Sequence, residues 1–336
     1  MPEIFLPQSI AFGNDSLKSL RSKLNDSVLV ISDSTDFQNT EFYNSSSQAC
    51  LKMIPQDSIV VNQNIAELYD TSIKFISDKS PQNIIGIGKS ETIDCAMLLS
   101  YQSGIDFTAI PYGCACGMTD FKGTEYTEYK KSPSSVILNA KLIFKLGSGA
   151  VAYDSLACFS YAIDTLISCN NNIIYDMAIN GAVGILNTVV PSFRGDVVAL
   201  EKLMYHMYYC VVAHRNTANA DNSVLNSITK FFAQFGYPKQ SIAALCIPNI
   251  MEHYICAPFA EIMRKSSFIN YAESDEDCAL NLIEKVRNLQ ASMSIPRSVR
   301  AYGANESLYN ELAKKSKIQR DLLDKCFYGS FKFAKL

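Results

Sequence analysis

Residues 83–97, NIIGIGKSETIDCAM, decide the fold: the apolar run Ile84-Ile85-Gly86-Ile87 enters a turn at Gly88, Lys89 and Ser90 and passes at once into helical spacing over 91–101. A short apolar run closed by a glycine turn is the pattern of a strand buried on both faces, and a helix directly after it makes half of a βαβ unit. Working outward, SVLVIS at 27–32 is a second such run and ends at Asp33. A third strand is expected at 58–61 (SIVV) and a fourth at 107–111 (FTAIP), stopped by proline. Between them, Ile65, Leu68, Ile73 and Ile76 give 64–77 the spacing of a helix. Strands alternating with helices imply a Rossmann-like α/β domain with a mostly parallel sheet.

Beyond about Gly147 the texture changes. Helical patterns fill 153–168, 176–190, 197–213, 223–235, 248–264, 278–293 and 306–315, and β-rich runs nearly vanish. The expected organisation is therefore an α/β domain over 1–147 followed by an all-α domain over 148–336.

The 336 residues are enough for two domains. A net charge of -3, with 48% hydrophobic and 19% charged residues, argues against a basic nucleic-acid binder and against a disordered chain. Eleven scattered cysteines, an odd number, do not make a disulfide framework and are read as small buried hydrophobes of a protein in the reducing cytoplasm. The start, Met1-Pro2-Glu3-Ile4, has no basic region followed by an apolar one, and no apolar run is read as approaching the roughly 18 residues of a membrane span. Cys114-Ala115-Cys116 lacks the spacer and the second pair of a zinc knuckle. Three histidines, His206, His214 and His253, leave little material for a histidine-based mechanism and are expected to be surface or polar-packed groups.

In order along the chain, PEIFLPQSIAFGNDSLKSL (2–20), the run ending in Asp33, IIGIGKSETIDCAM (84–97), IPYGCACGMTD (110–120) and YAIDTLIS (161–168) resemble the iron-containing alcohol dehydrogenases. These enzymes form a superfamily with dehydroquinate synthase and glycerol-1-phosphate dehydrogenase. The resemblance spans about residues 2 to 330 and implies the dehydroquinate synthase-like fold. It also implies an NAD-linked oxidoreductase ancestry and a homodimer, with a small molecule bound in the interdomain cleft.

The same resemblance locates the sites. Gly88, Lys89 and Ser90 stand where the family has a run of glycines against the pyrophosphate, so two added side chains crowd that approach. Tyr112 and Gly113, after Pro111, match the loop around the nicotinamide, and Tyr112 is bulky enough to fill space the ring would use. Asp33 matches a carboxylate that accepts from ribose hydroxyls and favours NAD over NADP. NAD is thus the cofactor the resemblance implies, with binding expected to be impaired.

The family holds its divalent metal with one Asp and three His. Here those positions carry Ala157, Tyr161, Thr229 and Lys239, so no catalytic metal is expected. A rival register offers Asp154 and Cys158, four apart on one helical face, but breaks the match of Asn139-Ala140-Lys141-Leu142 to the preceding motif. Tyr161 and Lys239 could still act together, the cation lowering the pKa of a phenol that protonates a carbonyl. The reading favoured is a pseudoenzyme or repurposed small-molecule-binding protein, with an active relative as one candidate partner. The alternative is a metal-independent NAD-linked oxidoreductase acting on an alcohol or carbonyl through Tyr161 and Lys239. Neither nucleic acid nor membrane is an expected partner.

Overall fold

The computed structural model describes residues 4–13, 15–20, 28–32, 65–88, 90–113, 132–144, 146–217, 223–266 and 273–329. They divide into two compact units, Met1–Gly147 and Ser148–Leu336. The strand expected at 58–61, Asp33, Lys89 and Cys114-Ala115-Cys116 lie outside the described residues.

The first unit is built on a sheet of β1 (Ser9–Phe12), β2 (Val28–Ser32), β3 (Asn83–Gly88), β4 (Asp106–Pro111) and β5 (Ser135–Leu138), ordered β1-β5-β4-β3-β2 with every pairing parallel. β3 and β4 run in register from Asn83 opposite Asp106 to Gly88 opposite Pro111, and both are buried along nearly their whole length. That two-sided burial is why the strands read as continuous apolar runs, without alternation. Helix α1 (Ile65–Lys79) packs on β2, and α2 (Ser90–Ser103) packs on β3 and β4. A five-residue helix α3 (Ala140–Phe144) follows β5. Strands β1 and β5 were not anticipated. Four residues each are too few for a period to register, and what fixes them is their pairing with one another, Ser9 opposite Ser135 through Phe12 opposite Leu138.

The regular elements among the described residues of the second unit are all helices. It comprises α4 (Ser148–Ser168), α5 (Asn172–Phe193), α6 (Val197–Arg215), α7 (Val224–Ala233), α8 (Lys239–His253), α9 (Ala257–Lys265), α10 (Asp275–Ser292), α11 (Glu306–Lys315) and α12 (Arg320–Tyr328). Side-chain caps set several starts: Asn171 accepts from the amides of Ile173 and Ile174, and Asp196 from those of Val198 and Ala199. The α5–α6 packing is close. A Cβ on Gly184 would come 2.0 Å from the His206 ring, and one on Gly181 would come 2.5 Å from Cys210 Sγ.

Two expectations need correction. Helix 248–264 was expected to begin at Pro248, yet α8 starts at Lys239, carries Pro248 inside it, and is separated from α9 by a 118° bend over Tyr254–Cys256. A proline has no N–H for the carbonyl of Ala244, and the buried Gln290 of α10 supplies the donor, its Nε2 lying 2.7 Å from Ala244 O and 3.3 Å from Leu245 O. Second, α5 is long and apolar enough to cross a membrane, with mean hydropathy 1.5, although no such run was anticipated. More than half of that stretch is buried within the unit, against α4, α6 and α9.

Candidate functional site

At the carboxyl end of the sheet, β3 delivers Gly88 directly before α2, so the first amides of that helix open beside the strand tip, a geometry suited to an anion. Gly88 has a second reason to be glycine. A Cβ there would sit 3.0 Å from Cβ and Oγ1 of Thr92, so the turn is tight even without a ligand. Tyr112 continues the β3–β4 ladder, its amide donating to Gly88 O at 2.8 Å. Its side chain, 1% exposed, belongs to the apolar cluster of Val30, Ile85, Ile87, Ile110 and Ile137, and Gly113 is buried beside it. Ser90 opens α2.

In the helical unit, α4 carries Ala157 and Tyr161 one turn apart, 0% and 5% exposed. α7 carries Thr229, whose hydroxyl donates to Asn226 O at 3.1 Å, and α8 begins at Lys239. The Lys239 ammonium nitrogen is shielded from solvent while the rest of its side chain is half-buried. α8 packs against both α4 and α7, so the four positions come from three helices joined through α8.

As donors for a divalent ion these four side chains do not fit. Alanine has no donor atom, the lysine is itself a cation, and the threonine hydroxyl donates to its own helix backbone. Among the described residues no three His, Cys, Asp or Glu side chains converge as a metal site. Asp154 and Cys158 acquire no third such partner there.

The structure also assembles a group the sequence reading passed over. His214, at the end of α6, points into α4, with Nε2 2.8 Å from Asp164 Oδ2. The Tyr161 ring lies over the imidazole, centroids 5.2 Å apart at 38°. Both members of the pair are buried, His214 at 2% and Asp164 at 7% exposure. With Asp164 as carboxylate, the proton is assigned to Nε2, and Nδ1 is then buried with no partner among the described residues. Ser160 and Thr165 donate back within α4, to Ala157 O and Tyr161 O, and Thr165 Oγ1 also accepts from Thr217 Oγ1 at 3.4 Å. Asp164 reaches across to α6 through its carboxylate. Its charge is felt at Tyr254, whose phenol is pushed up by burial and then by that carboxylate. No sequence signal marks the pair, because its members are fifty residues apart on separate helices.

The other two histidines sit elsewhere. His206 packs on Gly184, where burial and then Lys202 lower its pKa, and the Nδ1 of His253 faces Asp321 at 4.0 Å.

A parallel α/β unit followed by an all-helical unit is a fold shared with a group of oxidoreductases. The structure of 1,3-propanediol oxidoreductase matches with a TM-score of 0.78 at 13% identity, over 98% of this chain and 95% of that one. Alcohol dehydrogenase from Oenococcus oeni matches at 0.79 and 14% identity, over 98% and 100%. Maleylacetate reductase from Agrobacterium tumefaciens matches at 0.74 and 16%, over 98% and 99%. Residues 151–332 match the C-terminal part of the Fe-containing alcohol dehydrogenase family, and the chain belongs to that family. No curated protein matches it in sequence.

Proposed function

We propose that this chain is a family member that holds no catalytic metal and acts as a pseudoenzyme or repurposed small-molecule-binding protein. The observation that carries the reading is the donor set Ala157, Tyr161, Thr229 and Lys239. A buried alanine, a hydroxyl committed to a backbone carbonyl and a shielded ammonium replace a carboxylate and imidazoles. Lys89 and Ser90 support it, since they put side chains where the family resemblance has glycines against the pyrophosphate. In this reading the protein is a cytoplasmic homodimer or the partner of an active relative.

A second reading, a metal-independent NAD-linked oxidoreductase, is favoured by the burial of Tyr161 and of the Lys239 ammonium on helices that pack together. Bound NAD(H) would supply or accept the hydride. Tyr161 would then hand its proton to the carbonyl oxygen, with Lys239 stabilising the phenolate.

Elemental analysis of the purified protein, with NADH and NADPH titrations, separates these readings. Substoichiometric iron and zinc together with no saturable nucleotide binding is the expected result. Stoichiometric metal would overturn the first reading. Tight NADH binding with turnover lost in Lys239→Ala would install the second.

A further inference from the structure

At the far end of α8 from Lys239, a cleft of about 440 Å³ opens between α8, α10 and α12. Glu252 on its wall lies thirteen residues beyond Lys239, about 20 Å along a helix rising 1.5 Å per residue, so this is not the family's metal position. The volume falls within the range of small-molecule sites. Its lining is polar and charged, with Asn249, Glu252, Glu284, Arg287, Arg297 and Lys325 as the groups that matter.

The charges are arranged unevenly. Glu252 is taken up at both oxygens, by Lys325 Nζ at 3.0 Å from Oε2 and by Arg287 at 3.3 Å from Oε1. Burial alone would raise the Glu252 carboxyl, but these cations outweigh it and hold the group below its ordinary value, so it stays ionised and keeps both partners in place. The two cations exceed that one carboxylate by a unit charge. Arg297 adds a second, exposed and with no ion-pair partner among the described residues. Glu284, exposed on α10, is the carboxylate that opposes an incoming anion. A guanidinium presents a planar fork of donors to an oxyanion, and cations already fixed by Glu252 need little reordering to receive one.

We propose that this cleft is a binding site for a small oxyanion, a molecule bearing a phosphate or carboxylate group, held by Arg297 together with Arg287 and Lys325. The test is isothermal titration of the full chain with inorganic phosphate and, separately, with citrate, in low-salt buffer and against chloride of matched ionic strength. The two probes distinguish a phosphate preference from a carboxylate one. Saturable binding of one probe per chain is expected, weakened about tenfold or more in Arg297→Gln, the scale of one charge-assisted hydrogen bond. Glu284→Gln should strengthen binding several-fold by removing the opposing charge, a gain that a damaged fold cannot imitate. Absence of saturable binding by both probes, or affinities unchanged in both variants, would overturn the proposal.

Discussion

Nε2 of His214 and Oδ2 of Asp164 meet at 2.8 Å in the interior of the helical unit, joining the end of α6 to the C-terminal part of α4. The pair is a tertiary lock. Truncation at either side leaves a buried polar group without its partner, at a cost of about 1–3 kcal/mol. Asp164→Ala and His214→Ala should each lower the denaturation midpoint, and the double variant should be more stable than the sum of the two losses predicts, by about 0.5–3 kcal/mol. Strict additivity in urea titrations would show that the bond contributes nothing specific.

Pro248 and Gln290 form a compensating pair of another kind. Gln290→Met, close in volume, removes the donor that serves Ala244 O and Leu245 O, and a loss of about 1–3 kcal/mol is expected. Adding Pro248→Ala restores an amide opposite Ala244 O, so the second change should recover part of the loss. Thermal or chemical unfolding of the two variants measures this directly.

Glu252 sets a pH dependence. Its folded pKa lies below the ordinary 4.5, so its contribution is fully present above about 4.5 and is lost as pH falls through the folded value. Wild-type protein should therefore exceed Glu252→Gln in stability from pH 5 to 7, and the gap should close as the solution is acidified below 4.5. A gap of constant size down to pH 3 would remove Glu252 as its source.

Gly184 lies on the seam between α5 and α6. Replacing it with alanine gains about 1 kcal/mol of helix propensity. It also places a methyl 2.0 Å from the His206 ring, and such overpacking costs about 1–3 kcal/mol. The net effect of Gly184→Ala should be destabilising, and His206→Ala should relieve it. Melting temperatures of the single and double variants test both statements.

What the sequence determined by itself was the pattern of local structure. Ile84-Ile85-Gly86-Ile87-Gly88 announces a buried parallel strand and its turn, because burial on both faces forces a continuous apolar run that local reading can detect. The change from strands to helices after 147 is legible for the same reason. Fold class and family followed from such segments, and the parallel sheet and the match over 151–332 agree with them. The side chains at Ala157, Tyr161, Thr229 and Lys239, on which the proposed function rests, were also readable, since residue identity is a property of the sequence itself.

Only the tertiary structure decided the rest. The continuation of α8 through Pro248 depends on a glutamine 42 residues away in sequence, and the short strands β1 and β5 exist through pairing across 126 residues. The Asp164–His214 bond and the cationic cleft are likewise products of helices brought together from distant parts of the chain. A buried polar group gains its energy from the partner that satisfies it, and which partner arrives is settled by packing between elements, a quantity that local sequence pattern does not carry.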